Sequence, residues 1–147
     1  MSCLLVPLTS EDASNMAMIE QQCHQFPMSQ MTIETCFGRF YHVIGIELNG
    51  GLKGFAIMHM LFEDATLMDI CVLPQHQGQG LGKLLLGEII EMAAQGGAER
   101  LMLEVRSSSD SVIALYKAYG FAQTGLREGY YQHEHGKEDA VLMELLL

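Results

Sequence analysis

The sequence predicts an α+β domain built around one mixed β-sheet. Three observations carry that prediction. Apolar residues alternate between strand-like and helical spacing in the order β-α-α-β-β-β-α-β-α-β-β. Asn49-Gly50-Gly51, between two apolar runs, has the residues of a tight hairpin turn. An apolar strand at residues 69–73 then runs through Pro74 into a glycine-rich loop, and an amphipathic helix follows. At 147 residues the chain has room for one domain, 1–147. A chain of that length buries roughly 68–70% of its unfolded surface, so neither a disulfide nor a metal is required for folding.

Each element has a local reason. Cys3 to Val6 is a short apolar strand. Thr9 offers a hydroxyl cap ahead of acidic Glu11 and Asp12, which predicts a helix carrying Ala13, Met16, Ala17 and Ile19 on one face. Phe26-Pro27-Met28 interrupts it, and Ser29 caps a second helix expected to reach about Arg39. Tyr41–Leu48 and Leu52–Leu61 are the hairpin strands. Glu63-Asp64-Ala65 reads as a turn and Thr66–Leu73 as the next strand. Leu81, Leu84, Leu85, Ile89 and Met92 form one apolar stripe, ended by Gly96-Gly97. Arg100–Val105 is a strand, and Ser109 or Asp110 starts a helix that Gly120 stops. Phe121–Leu126 and Val141–Leu147 are the last strands, with a polar loop expected over 127–138.

Composition narrows the function. The net charge of −10 argues against nucleic-acid binding, which needs a basic footprint. It suits a basic substrate, which an acidic surface steers inward. No run is long enough to span a membrane, and Cys3 to Ser10 lacks the basic flank of a signal peptide, so a cytoplasmic protein is expected. Cys3, Cys23, Cys36 and Cys71 form no C-x-x-C pair and read as buried reduced thiols. Only His133 and His135 lie close together, and no third ligand has a suggestive spacing, so no metal is expected.

The glycine-rich loop is the strongest chemical signal. Gln77-Gly78-Gln79-Gly80-Leu81-Gly82-Lys83 places bare backbone N–H groups at a helix N-terminus, where the helix dipole favours an anion. A P-loop fails because its first glycine falls on Gln77 and its Ser/Thr on Leu84; a dinucleotide fingerprint fails because its third glycine falls on Lys83. The pattern Q-x-x-G-x-G, as Gln77, Gly80 and Gly82, resembles the acyl-CoA pyrophosphate loop of the GCN5-related N-acetyltransferases, the GNAT superfamily. The element order is also that of the GNAT fold. Leu103-Glu104-Val105-Arg106, Ala114-Leu115-Tyr116, Phe26-Pro27-Met28-Ser29 and Tyr130-Tyr131 are similar to segments of the bacterial RimI family, and the resemblance covers most of the chain.

That resemblance implies transfer of an acetyl group from acetyl-CoA to the N-terminal alanine of a small-subunit ribosomal protein, in a ternary complex and without a metal. The partner implied is the basic N-terminal segment of that protein, with no nucleic acid or membrane and a monomer or weak dimer. An α-amine suits a site with a single carboxylate: deprotonation at pH 7 costs roughly 1.4 kcal/mol, against about 4.6 for lysine. Strand alternation alone makes Glu104 a solvent-facing residue; the resemblance makes it the general base, in partly desolvated surroundings. The resemblance likewise makes Tyr116 the acid that protonates the leaving thiolate, and Tyr119 is assigned to packing. It implies that Ile70, Cys71 and Val72 pair with the pantetheine arm, with an amide of Cys71 or Val72 facing the acyl oxygen. Gly78 to Lys83 then hold the pyrophosphate and Ser109 contributes a weaker contact. Met28, Tyr130 and Tyr131 are expected to line the peptide groove. The aliphatic neighbours of Cys71 disfavour a nucleophilic thiolate. Two other readings stay open: acetylation of a small amine or a protein lysine, and a non-catalytic CoA-binding module.

Overall fold

The structure, a computed structural model, describes residues 3–147. Seven strands form one sheet in the order β1-β2-β3-β4-β5-β7-β6. The strands are β1 (Cys3–Pro7), β2 (Tyr41–Leu48), β3 (Gly51–Leu61), β4 (Asp64–Val72), β5 (Arg100–Arg106), β6 (Ala122–His133) and β7 (Gly136–Leu146). The helices are α1 (Ala13–Cys23), α2 (Gln30–Glu34), α3 (Leu81–Gln95) and α4 (Asp110–Ala118). All strand pairs are antiparallel except β4–β5. The predicted order of elements and the mixed sheet are therefore observed.

Helices cover both faces of the sheet. On one side α3 sets Leu85, Leu86 and Ile89 against Ile46, Met58 and Leu101. Each of those helix side chains is fully buried, a burial that stabilises the fold by roughly 1.5–3 kcal/mol apiece. On the other side α1 sets Met16 and Ile19 against Phe55, Ile57 and Cys71. Thr9 and Asp12 make a reciprocal capping box ahead of α1, and the Ser29 hydroxyl accepts from the Thr32 N–H at 3.2 Å to start α2.

Several boundaries differ from the sequence reading. Helix α2 ends at Glu34 and gives way to a 3-10 turn over Thr35–Phe37, short of Arg39. The β3–β4 turn sits at residues 62–63, so Asp64 and Ala65 belong to β4. Leu84 leaves the apolar stripe of α3 and is 49% exposed, while Leu86 is buried in its place. Ser109 precedes α4 but makes no side-chain cap. The expected loop over 127–138 is absent: β6 and β7 continue through it as a hairpin, with Tyr131 opposite Glu138. Cross-strand pairing satisfies backbone groups that a polar composition suggested were solvated. Of the cysteines, all free, Cys36 and Cys71 are buried, Cys23 is half-buried and Cys3 is exposed.

Candidate active site

The single parallel pairing creates the site. β4 and β5 pair only from Asp64↔Arg100 to Leu67↔Leu103. Beyond that point they diverge. The cause lies on β4, where Ile57 faces Asp69 while Met58 faces Leu67, so Met68 is an extra residue. Such a bulge bends its strand and re-aims the residues after it. The remaining halves, Met68–Val72 and Glu104–Arg106, become the walls of a cleft of ≈ 680 Å³. β4 stays paired to β3 here, with Ala56↔Ile70 and Gly54↔Val72, so its other edge carries unpaired backbone groups into the cleft. The β3 side is tight: a Cβ on Gly54 would lie 2.6 Å from the Cys71 carbonyl oxygen.

The glycine loop closes one end. Gly78 and Gly80 have φ of 81° and 85°, a left-handed conformation that glycine adopts without strain. The Leu84 N–H is the first in α3 to reach a carbonyl, that of Gly80 at 3.1 Å. The first-turn amides of Leu81, Gly82 and Lys83 therefore have no partner within the helix. Gln77 turns inward, and its side-chain amide donates to the Val72 carbonyl at 3.0 Å, fixing the loop to the end of β4. Gln77, Gly78, Gly80, Leu81, Gly82, Lys83 and Ser109 all line the cleft, as do Ile70 and Val72. Cys71 and Gln79 do not. The Cys71 side chain points to the opposite face of β4, a consequence of strand alternation, with Sγ 3.0 Å from the Glu20 carboxylate. A hydrogen bond from Cys23 and burial push its thiol far above the ordinary range. Cys71 therefore presents only backbone to the cleft, and its sulfur is not a nucleophile there.

Glu104 and Tyr116 both face the cleft, brought there from β5 and α4. Tyr116 is 5% exposed, and burial, then the Asp69 carboxylate, pushes its phenol up, which keeps it a proton donor at neutral pH. Glu104 lies in different surroundings from those expected. Its side chain is 28% exposed and pairs with Arg127 at 3.2 Å, so a cation rather than an apolar wall is its neighbour. Arg127 comes from β6 and lies over the Tyr130 ring, 4.8 Å from its centroid.

The substrate-side residues separate. Met28 and Tyr131 line the cleft, and Tyr130 does not. Burial, reinforced by Glu104, pushes the Tyr131 phenol up to about 12. Arg106, which sequence reasoning gave no role, organises this mouth. Its guanidinium lies over Tyr131 at 4.6 Å and Phe26 at 5.5 Å and donates to Glu138 at 3.2 Å. Glu20, His24 and Asp69 were also missed and also line the cleft. Glu20 is 3% exposed. Its signal was present: it continues the Ala13, Met16, Ala17 face of α1 at helical spacing. His133 and His135, the one close histidine pair in the sequence, sit at the β6–β7 turn outside the cleft.

Comparison with known proteins agrees with this architecture. Residues 10–121 match the model of the acetyltransferase (GNAT) family. The chain belongs to the GNAT family. It is 40% identical over 127 residues to the ribosomal protein bS18-alanine N-acetyltransferase of Escherichia coli K12, covering 86% of each chain. A Haemophilus influenzae protein of the same description is 40% identical over 130 residues, 88% of each. The crystal structure of the Escherichia coli ribosomal-protein-S18-alanine N-acetyltransferase superposes with a TM-score of 0.95 at 36% identity, over 99% of this chain and 94% of that one. The family membership and the fold implied by the sequence resemblance are thus both found. Among the described residues no helix is long and apolar enough to cross a membrane.

Proposed function

We infer that this GNAT protein transfers the acetyl group of acetyl-CoA to the α-amine of an N-terminal alanine, the substrate being the N-terminal segment of ribosomal protein bS18. The observation that supports this most directly is the joining of an anion-binding loop, an unpaired strand edge and Glu104 with Tyr116 in one cleft. The relatives' printed activities supply the acceptor.

In this reading the amides of Gly78 to Lys83 hold the coenzyme pyrophosphate. Ser109, whose hydroxyl is not used as a helix cap, adds a contact. The pantetheine arm lies along Ile70, Cys71 and Val72 as a further strand would, and an amide of Cys71 or Val72 faces the acyl oxygen as charge builds there. Glu104 takes the proton from the ammonium, directly or through a water, once Arg127 turns aside. The amine nitrogen forms its bond to the acyl carbon, the carbon–sulfur bond breaks, and Tyr116 gives its proton to the departing thiolate. The chemistry uses no metal. Met28, Tyr131 and Arg106 shape the acceptor mouth; the acidic Glu20 and Asp69 and the overall charge of −10 favour a cationic N-terminus.

The test is acceptor profiling by mass spectrometry with acetyl-CoA. Peptides carrying the bS18 N-terminus are compared with polyamines and with peptides whose only amine is an internal lysine. Acetylation confined to the N-terminal alanine is expected. Preferential modification of lysine or polyamine would replace the acceptor; coenzyme binding with no transfer to any amine would remove the enzymatic reading.

A further inference from the structure

On the face of β4 away from the coenzyme strand edge, four potential ligands converge from two elements. Glu20 and His24 lie one helical turn apart on α1, and Asp69 and Cys71 lie two residues apart on β4, so each pair shares a face. The Cys71 Sγ is 3.0 Å from Glu20 Oε2, 3.3 Å from His24 Nε2 and 3.6 Å from Asp69 Oδ1. His24 Nε2 is 3.4 Å from Asp69 Oδ1 and 3.8 Å from Glu20 Oε1. All four ligand atoms lie within 4.8 Å of one another.

These spacings have a specific geometric meaning. Four donors around zinc at about 2.0–2.3 Å stand at the corners of a tetrahedron whose edges are about 3.3–3.8 Å. The printed edges run from 3.0 to 3.8 Å, so the donors are already near those corners. The donor set of one thiolate, one imidazole and two carboxylates is chemically mixed, as zinc accepts and as calcium or magnesium sites are not. Charge points the same way. Two carboxyl groups and a thiol are buried together, and among the described residues His24 is the only basic group within ion-pair distance of Glu20 or Asp69. A divalent cation would supply the missing compensation. Surrounding bonds hold the donors in place: the Met28 N–H donates to Glu20 Oε1 at 3.2 Å, and the neighbouring Cys23 thiol donates to the Val72 carbonyl at 3.1 Å. The His24 side chain, 42% exposed on the cleft, gives an ion an entry path.

The geometry points to a four-ligand zinc site, made by Glu20, His24, Asp69 and Cys71, that fastens the last turn of α1 to the unpaired half of β4. The expectation of no metal rested on sequence spacing, and here the ligand pairs come from elements some 45 residues apart in the chain. A filled site of this kind has no open coordination position and acts structurally. It stiffens the wall that carries Ile70 to Val72.

Cobalt(II) replaces zinc as a visible probe, titrated into chelator-treated protein with neither coenzyme nor peptide present, so the outcome does not depend on acetyl transfer. The expected result is one cobalt per chain, with intense tetrahedral absorption, a thiolate-to-cobalt charge-transfer band, and displacement by zinc. His24→Ala should weaken cobalt by at least about tenfold, the loss that even an outer-shell partner causes. Cys71→Ser should abolish the charge-transfer band. The wild-type spectrum decides the question even if a variant fails to fold. Absence of a charge-transfer band in wild-type protein overturns the site. So does cobalt affinity unchanged by His24→Ala, which would place the ion elsewhere, for instance at His133 and His135. If wild-type protein binds no metal while Glu20→Gln raises the peptide KM, the cluster is an acceptor subsite and the zinc site is likewise overturned.

Discussion

Replacing Gly82 with alanine should move stability and coenzyme affinity in opposite directions. Gly82 is the second residue of α3, and its φ is not left-handed. A Cβ built there has the Val72 Cγ2 at 3.9 Å as its nearest neighbour, an ordinary contact. The folded protein by itself therefore gives no reason for glycine at this position. Alanine in a helix is favoured over glycine by roughly 0.5–1 kcal/mol. For a chain of this size that corresponds to a rise in melting temperature of about 1–4 °C. The opposing effect arises only if a phosphate rests on the bare amides. A methyl group on the cleft side of the loop would hold the phosphate off and remove at least one charge-assisted hydrogen bond of about 1.5–3 kcal/mol. The loss in acetyl-CoA affinity is then roughly 10- to 150-fold. Thermal denaturation without ligand and isothermal titration with acetyl-CoA measure the two effects separately. Gly87→Ala is the control: it lies on the same helix with no heavy atom within 4 Å of its Cβ position, so it should raise stability alone. If Gly82→Ala binds acetyl-CoA as tightly as wild type, the coenzyme diphosphate does not sit on these amides.

Other perturbations probe the chemistry and the frame. Glu104→Gln should lower kcat by about 10²–10⁴-fold, the range of a general base, with acetyl-CoA affinity unchanged; wild-type turnover would reject its role. Tyr116→Phe should lower kcat while leaving the fold intact, and steady-state kinetics giving a full rate would transfer proton donation to another group. Hydrogen bonds from Ser108, then Arg106, hold the Glu138 carboxyl below its ordinary range. Its folded-state value is depressed, so its contribution to stability is present above the ordinary carboxylate value and is lost as pH falls through the folded one. Denaturation curves of wild type and Glu138→Gln should therefore differ at pH 7 and converge in acid. Leu85→Ala should cost about 2–5 kcal/mol in urea unfolding, because Leu85 is fully buried between α3 and the sheet.

Local chemistry made the elements legible. The capping box at Thr9, the Asn49-Gly50 turn with φ of 53° and 86°, and the apolar spacing of α3 each require only neighbours in sequence. The glycine loop was legible for the same reason: a helix start and its bare amides are set within a few residues. The resemblance then brought Glu104 and Tyr116 forward, and the fold does place both in one cleft. The polar stretch at 127–138 misled because its strand pairing depends on β7, which composition does not register.

The sequence by itself determined which residues would form helices and strands and where an anion-binding loop would lie, because those features follow from short-range spacing and backbone geometry. Only the tertiary structure decided that Met68 bulges, that β4 and β5 part after Leu67 and Leu103, and that Arg127 reaches Glu104. It alone brought Glu20 and His24 of α1 against Asp69 and Cys71 of β4. Those outcomes depend on which distant segments share a face or an edge, and long-range packing settles that.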